Sequence, residues 1–342
     1  MDNVSFLKDL LNIYSPSGEE KEISNYLCEK LNSLGFNTYC DEVGNVIAKI
    51  GSGKPDIILL GHIDTVKGFI DVKEIDGKIY GRGSVDAKAP FAAFVCAVNE
   101  IKDILNKSVT IIGTVQVEER SKGGRYIVDR YSPDYAVIGE PSGTSGITLG
   151  YKGSLEVEYS LKKEMMHYSG KDLTAVENGI YFWNKIEHFC TNYSKGKKIF
   201  DALIPSLISI NSLNDDYTQG VVAELNIRTP VDFDVERFKD WITSNKGEGE
   251  VKFVDFRPPV RSSKNNKLIR SFIKSIRKHD SEPVFKLKTG TSDMNVVAEK
   301  WKCPIIAYGP GESSLDHTPN EHISIEEYKK AIEILKYVLI SL

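Results

Sequence analysis

The chain has 342 residues, of which 41% are hydrophobic and 27% are charged, and its formal net charge is −4. This length usually corresponds to more than one hydrophobic core, and the acidic balance does not support nucleic-acid binding, which is typical of basic proteins. The apolar run at 91–98 is far too short to cross a bilayer, so no membrane association is expected.

The first part of the chain predicts an α/β sheet in which strands alternate with helices. Apolar residues recur on one face of a helix at 19–34, and Gly35 ends it. The next predicted elements are strands at 46–50 and 56–61, a helix at 87–104, a strand at 109–117, a helix at 123–130 and a strand at 135–139. Because these strands are continuous apolar runs, we expect a mainly parallel, buried sheet.

The pattern changes after Gly150. The predicted elements there are a strand at 154–162, a helix at 173–192, strands at 206–211 and 220–228, a helix at 234–244 and a strand at 250–255. This βαββαβ order is ferredoxin-like. Gly150 and Pro258-Pro259 flank the segment, so residues 151–258 are predicted to form an inserted domain.

The α/β pattern resumes after the insert. The predicted elements are a helix at 265–279, a strand at 284–287, a helix at 293–301, a strand at 304–307 and a helix at 325–341. Residues 1–150 and 259–342 are therefore expected to form one catalytic, metal-binding domain. The predicted fold class is α/β, with an inserted ferredoxin-like domain.

The cysteines and the N-terminus indicate a cytoplasmic protein. The five cysteines are scattered, without a CxxC pair, at positions Cys28, Cys40, Cys96, Cys190 and Cys303. We expect them to be reduced and mostly packed in the interior. Residues 1–6 lack the basic and then apolar pattern of a signal peptide.

Acidic side chains follow several predicted strands. Glu118 and Glu119 end the run at 110–117, Glu140 follows 135–138, and Asp86 begins the helix at 87–104. Because α/β sheets bind ligands at the carboxyl ends of their strands, these acids should lie near one another. Each also has an ordinary alternative, since Asp86 could be a helix cap and the glutamates could mark strand ends or turns.

Two histidines belong to the same predicted edge. His62 and Asp64 follow the strand at 56–61, and residues two apart on a strand point to the same face, so Asp64 can orient a metal-bound His62. A lone HxD pair is more often a satisfied core or surface histidine. His317 lies in a Gly/Pro-rich loop at 309–321, and such loops often carry function.

The combined set predicts a centre for two divalent metal ions. Carboxylates and imidazoles are ligands for Zn²⁺, Co²⁺ or Mn²⁺, with Zn²⁺ as the first choice. Asp86 could bridge two ions, and the spare glutamate of the pair could act as a general base on water. A serine or cysteine hydrolase is less favoured because no GxSxG elbow is present.

Five short motifs, in this order, resemble the M20 family of metallopeptidases and deacylases. They are Gly61-His-Ile-Asp-Thr-Val66, Gly81-Arg-Gly-Ser-Val-Asp-Ala-Lys88, Val117-Glu-Glu-Arg120, Ile138-Gly-Glu-Pro141 and Asp316-His-Thr-Pro-Asn-Glu-His322. The similarity extends to the opening segment at 14–20 and to the insert, so it covers nearly the whole chain. It implies an amide hydrolase whose insert is a lid and dimerisation domain, and hence a homodimer.

The resemblance also implies a role for each site residue. One metal ion would be held by His62 and Glu140, the other by Glu119 and His317, with Asp86 bridging. Glu118 would be the general base, and Asp64 would orient His62. In the insert, His167 of the segment 165–169 would polarise the scissile carbonyl. Arg228 resembles the family's substrate-carboxylate arginine, although it could equally be a surface charge at a strand end.

Three further motifs look most like the lysine-biosynthesis branch of this family. They are Asp86-Ala-Lys-Ala-Pro90, Thr289-Gly-Thr-Ser-Asp-Met-Asn295 and Ala307-Tyr-Gly-Pro-Gly311. This branch releases lysine or ornithine from a small acidic amino-group carrier protein, or deacetylates the N-acetyl amino acid. Thr291 and Asp293 would then contact the substrate. Candidate basic contacts for the carrier are Lys122, Arg125, Arg257, Arg261, Lys264 and Lys267.

Other specificities remain open at the level of sequence. Within the family, the chain could be an acetylornithine or succinyl-diaminopimelate deacylase or a dipeptidase. From a different class, it could be an inactive metal-binding scaffold, although the intact Glu118-Glu119 pair argues against that interpretation.

Overall fold

The computed structural model describes residues 1–167, 169–170 and 172–342. The chain divides into two compact units. The first unit comprises Met1–Gly150, Arg261–Leu287 and Ser292–Leu342, and the second comprises Tyr151–Val260 and Lys288–Thr291.

The first 151 residues contain four helices and eight strands. In chain order these are α1 (Asn3–Asn12), α2 (Lys21–Ser33), β1 (Asn37–Cys40), β2 (Val46–Ile50), β3 (Asp56–His62), β4 (Lys73–Ile75), β5 (Lys78–Tyr80), α3 (Lys88–Ile101), β6 (Ser108–Thr114), α4 (Lys122–Ile127), β7 (Tyr135–Gly139) and β8 (Gly146–Tyr151).

The remaining elements complete both units. They are β9 (Gly153–Glu164), α5 (Ala175–Ser194), β10 (Ile204–Ser212), β11 (Thr218–Thr229), α6 (Val235–Ser244), β12 (Glu250–Arg257), β13 (Val260–Arg261), α7 (Lys267–Lys278), β14 (Val284–Lys288), α8 (Asp293–Trp301), β15 (Ile305–Tyr308), β16 (His322–Ser324) and α9 (Ile325–Ser341).

The main sheet is mixed rather than mainly parallel. Its strand order is β1-β2-β6-β3-β7-β15-β8-β13, and β14 also pairs with β8. The central strands β6, β3, β7 and β15 are parallel to one another. By contrast, β1 pairs with β2, β2 with β6 and β15 with β8 in antiparallel fashion. The β1–β2 connection is a short turn, which can join only antiparallel strands.

Helix α3 packs in the centre of the first unit, against α1 and α9. Its buried side chains include Phe91, Phe94 and Val98, and an all-round apolar helix of this kind belongs in a core. The helix begins at Lys88, two residues after Asp86, so the burial of α3 fixes the position of the backbone that carries this carboxylate.

The second unit contains a four-stranded antiparallel sheet in the order β10-β11-β9-β12. Its elements follow one another as βαββαβ. Alternate residues of β9, including Leu155, Val157 and Tyr159, pack with Phe182 and Ile186 of α5 in a separate core. Burial alternates along β9, which is the pattern of a strand with one face in the core.

The structure corrects the expectation that all cysteines are reduced. Cys28 of α2 and Cys40 of β1 form a disulfide, with their Cα atoms 6.6 Å apart. A tight connection at Leu34–Phe36 folds β1 back against α2 and brings the two thiols together. The cysteines Cys96, Cys190 and Cys303 are free. Among the residues that the structure describes, no helix is long and apolar enough to cross a membrane.

Candidate active site

The strand order brings the predicted residues to one edge of the main sheet. His62 is the last residue of β3, in register with Thr114, the last residue of β6. Glu140 directly follows β7, the other neighbour of β3. Parallel strands end at the same edge, so the first unit alone supplies these side chains.

The predicted strand at 109–117 ends early, at Thr114. The Val115 N–H donates to the side-chain oxygen of Asn45 at 3.1 Å instead of extending the ladder. Gln116 then adopts a left-handed φ of 55°. Glu118 and Glu119 therefore lie in a turn beyond the strand, where Glu118 is partly buried and Glu119 is exposed.

Asp86 lies between the two predicted histidine ligands. Its Oδ1 is 3.1 Å from His62 Nε2, and its Oδ2 is 3.2 Å from His317 Nε2. His317 Nε2 is also 3.1 Å from Glu118 Oε1. A carboxylate that presents one oxygen to each imidazole has the geometry needed to bridge two cations.

Asp64 fixes the tautomer of His62. The His62 Nδ1–H donates to the backbone carbonyl of Asp64 at 2.9 Å, and Asp64 Oδ1 lies 3.3 Å from the same nitrogen. Because these oxygens can only accept, Nδ1 carries the proton, and Nε2 is the nitrogen that can bind a metal. The fully buried Asp64 also accepts from Ser17 Oγ at 2.6 Å and from the Glu118 N–H at 3.1 Å, both through Oδ2.

The charges of the cluster shift its pKa values in the metal-free protein. Burial alone would lower the pKa of His62, but Asp64 and Asp86 outweigh burial and hold it well above its usual value. Hydrogen bonds with Asp86 and Glu118 raise the pKa of His317 to about 10. Burial opposes ionisation of Asp86, yet its bonds with His317 and His62 prevail and lower its pKa. Both imidazoles thus hold protons that cations would displace.

Glu118 belongs to the cluster. It forms a group with His62 and Asp86 in which one ligand atom from each residue lies within 4.8 Å of the others. Burial, followed by the charge of Asp86, raises the pKa of Glu118. Glu119 is exposed and Glu140 is buried. The donor set of imidazole nitrogens and carboxylate oxygens fits Zn²⁺, Co²⁺ or Mn²⁺.

The other predicted residues occupy different environments. In the second unit, Arg228 Nη1 donates to Thr291 Oγ1 at 3.3 Å, so the two predicted substrate contacts are neighbours. His167, also in that unit, is exposed and has its Nδ1 2.7 Å from Ser169 Oγ. Tyr168, within the segment predicted to carry His167, lies outside the described residues.

Asp293, a predicted substrate contact, is almost completely buried. Only 2% of the residue is accessible, and Oδ2 accepts from Thr114 Oγ1 at 2.7 Å. Burial raises the pKa of this carboxyl group. Because Thr114 lies beside His62 in the sheet, Asp293 supports that strand end, and its role as a substrate contact stays a prediction.

Two buried charges were missed by sequence reasoning. The Lys88 ammonium group donates to the carbonyls of Leu10 and Ile13 at 3.1 and 2.6 Å, at the end of α1, and burial lowers its pKa to about 7. Glu321 is completely buried beside the Asp86 segment. Both lie within the family-like motifs, but nothing in their spacing distinguished them from solvated charges.

An α/β sheet that gathers imidazoles and carboxylates at its strand ends can hold divalent metal ions there. The chain belongs to the peptidase family M20/M25/M40, which matches residues 58–341. This membership confirms that the five short motifs resemble those of the M20 family. It also identifies the chain as a hydrolase that acts on amide bonds.

Individual relatives match over nearly their whole length. A protein from Deinococcus radiodurans named [LysW]-lysine hydrolase is 37% identical over 344 residues, covering 97% of this chain and 95% of the relative. One from Sulfurisphaera tokodaii named [LysW]-lysine/[LysW]-ornithine hydrolase is 34% identical over 339 residues, covering 94% and 90%.

A solved structure has the same fold. The M20 family metallo-carboxypeptidase Sso-CP2 from Sulfolobus solfataricus matches with a TM-score of 0.82, covering all of this chain and 99% of its own. At 21% identity, this similarity concerns the mixed α/β fold alone.

Proposed function

We propose that this chain is a di-metal amidohydrolase that releases lysine, ornithine or both from LysW, an amino-group carrier protein. The names of the two relatives support this substrate. The observation that carries the proposal of two metals is the position of Asp86, whose two carboxylate oxygens face different histidines.

The proposed ligands follow the roles implied by the family motifs. His62 and Glu140 would hold one ion, and Glu119 and His317 the other, with Asp86 shared between them. Bound ions of this kind polarise a carbonyl and lower the pKa of water, and Zn²⁺ is our first choice, with Co²⁺ and Mn²⁺ as alternatives.

Glu118 would move the proton during hydrolysis. Its carboxylate would take a proton from the attacking water as the new C–O bond forms. It would then give that proton to the nitrogen of lysine or ornithine as the amide C–N bond breaks. The raised pKa of Glu118 makes its carboxylate a better proton acceptor than an ordinary glutamate.

The second unit would bind and cover the substrate. We propose that it is a ferredoxin-like lid and dimerisation domain and that the protein is a homodimer. The Nε2–H of His167 would donate to the carbonyl oxygen as negative charge develops there. Arg228, held beside Thr291, would bind a substrate carboxylate, which a planar guanidinium group matches well.

A comparison of substrates tests the specificity. Release of free lysine and ornithine from their LysW conjugates would be measured beside hydrolysis of N-acetyl-lysine, N-acetylornithine, N-succinyl-diaminopimelate and dipeptides. We expect the highest kcat/KM for a LysW conjugate, inactivation by chelator and recovery with Zn²⁺ or Co²⁺. Faster turnover of a small acyl substrate would favour a deacylase or dipeptidase, and no turnover by the metal-loaded protein would favour an inactive scaffold.

Charge reversal tests recognition of an acidic carrier. Lys122 begins α4 and is exposed, as is Arg125 one turn later. We expect Lys122→Glu to lower kcat/KM for a LysW conjugate while leaving N-acetyl-lysine hydrolysis unchanged. Lys21→Glu makes the same charge change at an exposed position on α2 and serves as the control. Equal effects of the two variants would contradict a local contact.

A further inference from the structure

Glu321 is a buried carboxylate with four hydrogen-bond donors around it. Its Oε1 accepts from the backbone N–H groups of Gly83, Val85 and Asp86 at 3.1, 2.8 and 3.0 Å. Its Oε2 accepts from Arg82 Nη1 at 2.8 Å. The residue is 0% exposed, so these donors replace water as the solvation of its charge.

The four donors argue against a direct metal-ligand role for Glu321. Three N–H groups converge on Oε1, and the Arg82 guanidinium group occupies Oε2. A ligand needs a lone pair directed at the ion. The carboxylate is instead directed at the backbone that carries Asp86, including the N–H of Asp86 itself.

Arg82 connects the same carboxylate to the loop of His317. The Nη1 that donates to Glu321 also donates to the carbonyl of Thr318 at 3.2 Å, and Nε donates to the carbonyl of Gly68 at 2.9 Å. His317, directly before Thr318, has a left-handed φ of 61°. Such a backbone conformation is costly for a non-glycine residue and needs support from its surroundings.

We propose that Glu321 is a positioning residue for the metal centre. It would hold the backbone of Asp86 so that the two oxygens of that carboxylate face His62 and His317. Through Arg82, it would fix the spacing between the Asp86 and His317 loops. This inference rests on the proposed metal-ligand roles of Asp86 and His317, and it adds a residue that those roles do not include.

The chain contains a matched control. Asp215 Oδ1 accepts from the backbone N–H groups of Tyr217 and Thr218 at 2.9 and 2.6 Å, in the turn between β10 and β11, and Asp215 Oδ2 lies 3.4 Å from Lys162 Nζ. At both places one carboxylate oxygen accepts backbone N–H groups and the other faces a cation. None of the proposed metal ligands lies in the second unit, so loss of the Asp215 bonds should affect stability alone.

The first test uses the unmodified, metal-free protein and needs no variant. Hydrogen exchange would be followed in peptides that cover residues 83–86. Amides that donate to a buried carboxylate should exchange slowly, and we expect protection at Val85 and Asp86 before any metal is added. Exchange at the rate of a solvated loop would overturn the proposal, because Glu321 would then not hold this segment.

The second test measures Zn²⁺ affinity by competition with a chromogenic chelator. We expect Glu321→Gln to bind Zn²⁺ about 10- to 100-fold more weakly, the range for lost supporting contacts of metal ligands. Asp215→Asn should stay within about twofold of wild type. Glu321→Ala, if folded, should bind at least as weakly as Glu321→Gln.

Two results would overturn the positioning role. One is an unchanged Zn²⁺ affinity in Glu321→Gln. The other is an equal loss in Glu321→Gln and Asp215→Asn that follows their loss of thermal stability, because that result would indicate general destabilisation. A wild-type chain that takes up no Zn²⁺, Co²⁺ or Mn²⁺ would overturn the proposed metal centre itself. Hydrogen exchange, metal affinity and thermal stability are all measured without substrate, so these tests do not depend on the proposed specificity.

Discussion

The adjacent glutamates can be separated by replacing each with glutamine. If Glu118 is the general base, Glu118→Gln should keep its metal ions and lose most turnover. If Glu119 is a ligand, Glu119→Gln should bind metal more weakly, and its loss of turnover should follow from that loss of metal. Glutamine preserves the size and shape of the side chain, so both variants test the charge and the proton-transfer capacity of one carboxylate.

The expected magnitude for Glu118→Gln follows from its surroundings. A positioned general base contributes about 10²- to 10⁴-fold to a rate, which corresponds to about 3–5 kcal/mol in the activation free energy. Stability should not fall by a similar amount. The pKa of Glu118 is raised by burial and by the charge of Asp86, so the folded, metal-free protein gains little from its ionised form. A neutral side chain removes that repulsion.

Three measurements on the same samples decide the roles. Elemental analysis gives the bound metal per chain, thermal unfolding gives stability, and release of lysine from the LysW conjugate gives kcat. A Glu118→Gln variant that retains more than about a tenth of wild-type kcat would refute the general-base assignment. If Glu118→Gln loses metal while Glu119→Gln retains it, the two roles are exchanged.

Four other predictions concern single residues. The pKa of His317 rises from 6.5 to about 10 in the folded, metal-free protein, so its stabilising contribution should be complete below pH 6.5 and disappear as the pH rises through 10. Calorimetry in buffers of different ionisation enthalpy should accordingly detect proton release when Zn²⁺ binds at pH 8, and His317→Gln should release fewer protons. His167→Ala should lower kcat without changing metal content, and normal kcat would exclude its role at the carbonyl. Asp64→Asn should weaken Zn²⁺ binding by about 10- to 100-fold, and wild-type affinity would contradict its orienting role. Cys40→Ser should lose about 3 kcal/mol of unfolding free energy without reductant and nothing with it, given the 12-residue separation from Cys28.

The sequence was most informative where side chains follow strands. His62 and Glu118 each follow an apolar run that predicts a strand. The carboxyl ends of neighbouring parallel strands meet at one edge of the sheet, so such positions come together independently of the loop conformations. The HxD spacing similarly predicted that Asp64 supports His62. The structure extends that role, because the same carboxylate also accepts the N–H of Glu118.

Other features had no local pattern from which they could be predicted. The bond between Asp86 and Glu321 joins residues 235 positions apart, and such a contact produces no periodicity in either segment. The three-residue strands β4, β5 and β16 are too short for an alternation of side chains to be recognised. The Cys28–Cys40 pair depends on how β1 folds against α2, and helix and strand periodicity does not encode that packing.

Asp64 gives the proposed site a fixed internal spacing. Its Oδ1 faces the imidazole of His62, and its Oδ2 accepts the N–H of Glu118, which is 54 residues away in sequence. Ser17 donates to the same Oδ2, so a rotation of the carboxylate would break contacts with three segments at once. The protein itself therefore fixes the distance between His62, the proposed ligand, and Glu118, the proposed base, without help from a metal ion. A site organised in this way before the reaction needs little rearrangement as charge develops, which is the main electrostatic advantage of an enzyme over water.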